Sequence, residues 1–122
     1  MKVLLDSVIL IDHLNGIPAA TSYLRQLEGE GCISVISRAE VLCGFDPAAA
    51  ELAQRLLERF VTLPIDREAA DLAASLRRKH RWPLPDALQA ALAQLHGLKL
   101  ATRNVRDFPP QRFDFVVVPY TL

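Results

Sequence analysis

The sequence predicts an α/β fold: a three-layer α/β/α sandwich built on a mostly parallel central sheet. Three observations predict it. Short apolar runs alternate with amphipathic segments, the pattern of strands joined by helical crossovers. The runs VLL, ISVI and VVV are almost continuously apolar, as strands covered on both faces must be. Helical crossovers are right-handed and bring successive strands back in parallel.

Each element has a local reason. Lys2–Leu5 is the first expected strand, with a helix starting directly after it and running to about Leu14. Asn15-Gly16 breaks that helix, and Pro18 opens a second one through about Leu27, its fixed φ suiting a first turn. Gly29 and Gly31 lead into a second strand, Cys32–Ile36. Ser37 then starts a helix toward Phe45. Asp46-Pro47 reads as an N-cap followed by a first-turn proline, launching a helix to about Arg59. Phe60–Leu63 is a short third strand, and Asp66 caps a helix that ends in the basic run Arg77-Arg78-Lys79-His80-Arg81. Trp82-Pro83-Leu84-Pro85 is a rigid connection. Asp86 begins the next helix, Gly97 ends it, Lys99–Thr102 is a strand, and Phe115–Val118 is the last. No internal repeat or low-complexity segment interrupts this order.

At 122 residues the chain reads as one domain, residues 1–122, long enough to bury one core. Its 51% apolar and 23% charged content is ordinary for a globular protein. Fourteen Lys and Arg balance fourteen Asp and Glu, so any basic footprint for nucleic acid must be local. No apolar run approaches a membrane span. The opening MKVLLDSVILIDHL is interrupted by Asp6 and Asp12 and lacks a cleavage pattern, so a cytoplasmic location is expected. Cys32 and Cys43 form no CxxC motif, and His13, His80 and His96 stand at no zinc-ligand spacing from them. Both are read as buried free thiols in a reducing compartment.

In folds of this class the functional crevice lies beyond the carboxyl ends of the strands, and that makes the acids informative. Asp6 follows the first strand directly. Glu40 lies just past the second, in the first turn of the next helix. Asp86 opens its helix, and Asn104 and Asp107 follow the Lys99–Thr102 strand one helical turn apart. Asp114 precedes its strand and belongs to the opposite end. Singly, each acid has a structural reading. Asp6-Ser7 could cap a helix, Ser37-Arg-Ala-Glu40 fits a capping box, Asp86 suits a helix dipole, and Asp107 could be surface charge. Asp12, Asp46, Asp66, Glu68 and Asp71 are left with structural readings of the same kind. Jointly, four converging carboxylates would repel and drive protonation unless a cation stood among them. Oxygen ligands without His or Cys select a hard ion, Mg²⁺ or Mn²⁺. The matching chemistry is metal-assisted phosphodiester hydrolysis by water.

These residues carry a family resemblance along essentially the whole chain. MKVLLDSVILIDHL, ISVISRAEVLCGF and LPDALQAALAQLHGLKLATRNVRDF, in that order and spacing, resemble the PIN-domain ribonucleases of the VapC toxin family. The resemblance implies a Mg²⁺- or Mn²⁺-dependent endoribonuclease, the toxin of a type II toxin–antitoxin pair. Asp6, Glu40 and Asp86 match the family's three most regular acids. Some relatives have Asp where this chain has Asn104; Asp107 is taken for the fourth acid, with Asn104 supporting. Ser7 and Thr102 match the hydroxyls beside the metal. Asp6 and Asp86 would bind the principal ion, directly or through water, Glu40 would orient or deprotonate the attacking water, and Asp107 would complete the shell or help hold a second ion. The partners implied are RNA, a VapB-like antitoxin and a second copy of the chain, as a homodimer and a heterotetramer or larger assembly with antitoxin.

RNA requires positive charge near this acidic pocket. Arg38, Arg103 and Arg106 lie on the segments carrying Glu40 and Asp107 and are the candidates. The Arg77–Arg81 run has a dipole-complementing reading as well as an RNA one. Two other functions compete. A receiver-like phosphoacceptor module needs paired acids after the first strand, where Asp6 is followed by Ser7, and a Lys ending a late strand, where Lys99 begins one. A PIN-fold protein that binds RNA or a partner without catalysis would have no need of all four acids.

Overall fold

The computed structural model describes all 122 residues. In chain order the elements are β1 (Val3–Leu5), α1 (Ser7–Leu14), α2 (Pro18–Leu27), β2 (Gly31–Ser34), α3 (Val35–Cys43), α4 (Pro47–Leu57), β3 (Val61–Leu63), α5 (Arg67–His80), α6 (Leu84–Leu95), β4 (Lys99–Ala101) and β5 (Val116–Val117). The strands form one sheet in the order β3-β2-β1-β4-β5, and every pairing is parallel.

The period of two along a strand divides the core into two halves. Leu4, Cys32, Leu63 and Leu100 join Ala87, Ala90, Ala91, Phe108 and Trp82 on the α5–α6 side. Their neighbours Leu5, Ile33 and Ala101 join Ile9, Leu10, Val41 and Leu57 on the other side. Helices therefore cover both faces, as the near-continuous apolar strands require. No helix is long and apolar enough to cross a membrane.

Several boundaries differ from the sequence reading. The second strand ends at Ser34 rather than Ile36, because Ser34 itself caps α3: its hydroxyl accepts from the Ser37 N–H at 3.1 Å. Ser37 thus sits inside the helix, the expected capping box does not form, and Glu40 stands in the second turn rather than the first. Asp46 and Asp66 cap α4 and α5 as expected, each accepting from the third residue on at 2.9 Å. Helix α6 starts at Leu84, so Leu84 and Pro85 are its first residues rather than part of a rigid connection. Proline is tolerated there because first-turn N–H groups lack intrahelical partners anyway. Asn104 and Asp107 lie on a single isolated turn, closed by the Phe108 N–H donating to the Asn104 carbonyl at 3.0 Å. Gly97 takes φ of +65° at the end of α6, a conformation that only glycine adopts without strain. Cys43 is exposed, correcting its expected burial, whereas Cys32 is buried.

Candidate active site

Parallel pairing puts Leu5, Ser34, Leu63, Ala101 and Val117 at one rim of the sheet. Asp6 leaves that rim from β1, its N–H held by the Ala101 carbonyl at 2.9 Å. Thr102 leaves it from β4, its N–H on the Val117 carbonyl at 3.0 Å. Asp114 lies at the other end, where the Lys99 ammonium donates to its carbonyl at 2.6 Å.

One hydroxyl holds the Asp6 carboxylate and a second stands near it. Thr102 Oγ1 donates to Asp6 Oδ2 at 2.6 Å, and Ser7 Oγ lies 3.5 Å from Oδ1. Ser7 Oγ also reaches Glu40 Oε1 at 3.2 Å, tying the start of α1 to α3. The same Thr102 hydroxyl accepts from the Asn104 N–H at 3.0 Å. Asn104 and Asp107 then bind each other: Asn104 Nδ2 donates to Asp107 Oδ2 at 3.0 Å, and the Asp107 N–H donates to Asn104 Oδ1 at 3.2 Å. Asn104 therefore acts on Asp107 and on Thr102, a shape the sequence reading described only as supporting.

Electrostatics couple all four acids. The pKa of Asp86 is pushed up to about 6, first by burial and then by the charges of Asp6, Asp107 and Glu40. Burial raises Asp6 against the opposing hydrogen bonds from Thr102 and Ser7. Glu40 is raised by burial and by the Asp6 charge, against the Ser7 hydrogen bond. No three of the His, Cys, Asp and Glu side chains stand close enough together to hold a metal ion by themselves. The donor set nonetheless fits a hard divalent ion, which uses oxygen ligands only. Mg²⁺ in particular keeps several waters and needs only one or two protein carboxylates.

A buried strut below the acids escaped the sequence reading. Ser37 Oγ donates to the Leu5 carbonyl at 3.2 Å and accepts from Gln89 Nε2 at 2.5 Å. It joins the residue before Asp6, the turn before Glu40 and the turn after Asp86. The signal was present in LPDALQAALAQL, where Gln89 is a polar residue on an apolar stretch and needs a partner if buried. Its Oε1 has none among the protein's atoms.

The candidate arginines separate. Arg103 is held by Asp12 through Nε and Nη2 at 2.6 and 3.0 Å, and Tyr120 donates to the same carboxylate at 2.8 Å. It therefore does not face the pocket as a free cation. Arg38 pairs at the surface with Glu58 at 3.3 Å. Arg106 is exposed and in no ion pair, beside Asp107.

The family model for the PIN domain matches residues 3–110. The chain belongs to the PIN-domain family. This PIN domain is 41% identical over 114 residues to "Ribonuclease VapC10" of Mycobacterium tuberculosis, covering 88% of this chain and 86% of that protein. Among solved structures it resembles a "Toxin-antitoxin complex from Klebsiella pneumoniae" at 35% identity and a TM-score of 0.90, over 99% of this chain and 100% of that one. The structure titled "FitAcB from Neisseria gonorrhoeae" matches at 25% identity and a TM-score of 0.77, over 99% of this chain and 100% of that one. The fold expected of a PIN domain is thus the one observed.

Proposed function

We propose that this PIN domain is a Mg²⁺- or Mn²⁺-dependent endoribonuclease and the toxin of a VapBC-type pair. One arrangement carries the catalytic reading: the hydrogen bonds of Ser7, Thr102 and Asn104 gather Asp6, Glu40 and Asp107 at one rim, where burial and their charges raise the pKa of Asp86 to about 6. Acids so placed destabilise one another unless a cation shares the site. A relative called a ribonuclease, 41% identical, supports the substrate class.

In this reading Asp6, Asp86 and Asp107 hold the ion, with Glu40 contributing through water. A bound divalent ion would polarise the scissile phosphate and make water a stronger nucleophile. The chain's own residues do the rest. Thr102 holds one oxygen of Asp6, and the Ser7 hydroxyl stands between the other and Glu40. Asn104 fixes Asp107 in the same manner. Glu40, raised toward neutrality and steadied by Ser7, suits the general base that takes the proton of the attacking water. The Ser37–Gln89 strut keeps the helices bearing Glu40 and Asp86 in register with β1.

An antitoxin partner is supported by the likeness to the Klebsiella toxin–antitoxin complex. Exposed apolar side chains, among them Leu52, Val61 and Leu84, offer surface for it and for a second copy of the chain. The test of catalysis is the Asp86→Asn protein with Mg²⁺ or Mn²⁺ and structured RNA. Cleavage is expected to disappear while circular dichroism shows the fold retained. Undiminished cutting by the folded variant would remove the proposal.

A further inference from the structure

Lys79 and Arg81 at the end of α5 meet Arg106 and Arg112, from the chain after β4, around a cleft of about 260 Å³ that opens beside Asp107. All four cations are exposed. None is in an ion pair, whereas Arg38, Arg55 and Arg103 each hold a carboxylate. Four cations gathered around a single carboxylate, Asp107, repel one another, and an anion entering the cleft relieves that repulsion.

Aromatic rings line the same cleft. His80 stacks on Trp82 with ring centres 4.3 Å apart and planes 18° from parallel. Phe113 meets His80 edge-on at 5.3 Å. Trp82 is 3% exposed, so the half-buried His80 is the outer plate of the stack. Burial lowers the pKa of His80, and the Lys79 and Arg112 charges push the same way. At neutral pH the plate is therefore an uncharged ring set among cations. The floor is also joined to the acid site, because the Trp82 indole N–H donates to the Asp107 carbonyl at 2.9 Å.

We propose that this cleft binds single-stranded RNA, its phosphates on Lys79, Arg81, Arg106 and Arg112 and a base against His80, leading the strand into the acids at Asp107. The proposal rests on the ribonuclease reading for its substrate. An acidic peptide would satisfy the cations alone; a flat ring beside them suits a nucleobase, which stacks on aromatic faces whatever its identity.

The test measures binding without chemistry. A fluorescein-labelled, 2′-O-methylated single-stranded RNA is titrated in EDTA against wild type and against Lys79→Gln/Arg81→Asn/Arg112→Gln. Asparagine is chosen at position 81 because Arg81 has φ of +60°, which Asn tolerates better than most residues. The control variant, Arg25→Gln/Arg59→Gln/Arg67→Gln, loses the same charge elsewhere. Affinity is expected to fall at least about tenfold in the cleft variant. The slope of log K against log salt becomes shallower by about 0.7 for each phosphate that the variant no longer neutralises. The control keeps near wild-type affinity. Equal losses in the two variants, or no loss in either, overturn the proposal. So does a cleft variant that keeps RNA and loses an acidic peptide instead. Binding in EDTA requires no cleavage, so failure of the Asp86→Asn test leaves this result readable, and the converse also holds.

Discussion

At pH 7 the fold obliges Asp86 to carry its charge against burial and against three other carboxylates, which push its pKa up to about 6. An acid raised in this way binds its proton earlier in the folded chain than in the unfolded one. The metal-free fold therefore loses stability as pH rises through about 6 and regains it on acidification. Asp86→Asn removes the repulsion, so in EDTA at pH 7 the variant is expected to be roughly 1–2 kcal/mol more stable than wild type, after discounting for solvent screening. That advantage should close as pH falls from 7 toward 4. Urea denaturation at several pH values checks it, and a pH-independent difference would count against the coupled acid cluster. At this scale Asp6, Glu40 and Asp107 were legible through their positions after strands, and Asp86 through its place at the start of a helix. The sequence did not show Ser37 or Gln89, whose meaning depends on a hydrogen bond between residues 52 apart. Nor did it show that Arg103 belongs to Asp12, a pairing 91 residues apart that no local pattern encodes.

Between elements, that pair has a larger consequence. Asp12 on α1, Arg103 just after β4, and Tyr120 beyond β5 form one half-buried clamp across three segments. Burial raises the Asp12 carboxyl, but the hydrogen bonds from Arg103 and Tyr120 and the Arg103 charge outweigh it and hold it below its ordinary value. Arg103→Met leaves a 9%-exposed carboxylate without its cation. The expected cost at neutral pH is about 2 kcal/mol, between the values for exposed and fully buried pairs. A carboxyl held low when folded gives stability above its unfolded pKa and loses it as pH falls through its folded one. The gap between Arg103→Met and wild type should accordingly narrow in acid, as read by denaturant midpoints. A constant gap from pH 7 to pH 3 would mean that altered packing, not charge, sets the cost. The elements themselves were legible because caps, prolines and apolar runs act within a few residues. Their ends were less so: Ser34 and Ser37 are both competent caps, and tertiary placement chose between them.

Across the whole molecule, net charge conceals the arrangement that matters. Equal numbers of acids and bases are sorted so that four acids gather at one rim and unpaired cations line the adjoining cleft. The all-parallel order β3-β2-β1-β4-β5 does much of the sorting, since every strand delivers its following residue to the same edge, where Asp86 joins from the first turn of α6. Topology also explains why fold and site were read together from sequence: once the strands are parallel, residues after them must converge. What convergence leaves unsatisfied is charge, and that leads to a prediction for the intact fold. A divalent ion that binds only the folded state stabilises it by RT ln(1 + [L]/Kd), about 2.7 kcal/mol at a hundred times Kd. Saturating Mg²⁺ or Mn²⁺ should thus raise the melting temperature of wild type by several degrees. The shift should vanish in Asp6→Asn, because Asp6 is the rim acid that the Thr102 hydroxyl already holds in place. Scanning calorimetry with and without EDTA reads both proteins. An equal rise in the two would mean that the ion binds elsewhere, and that the rim acids do not form its site.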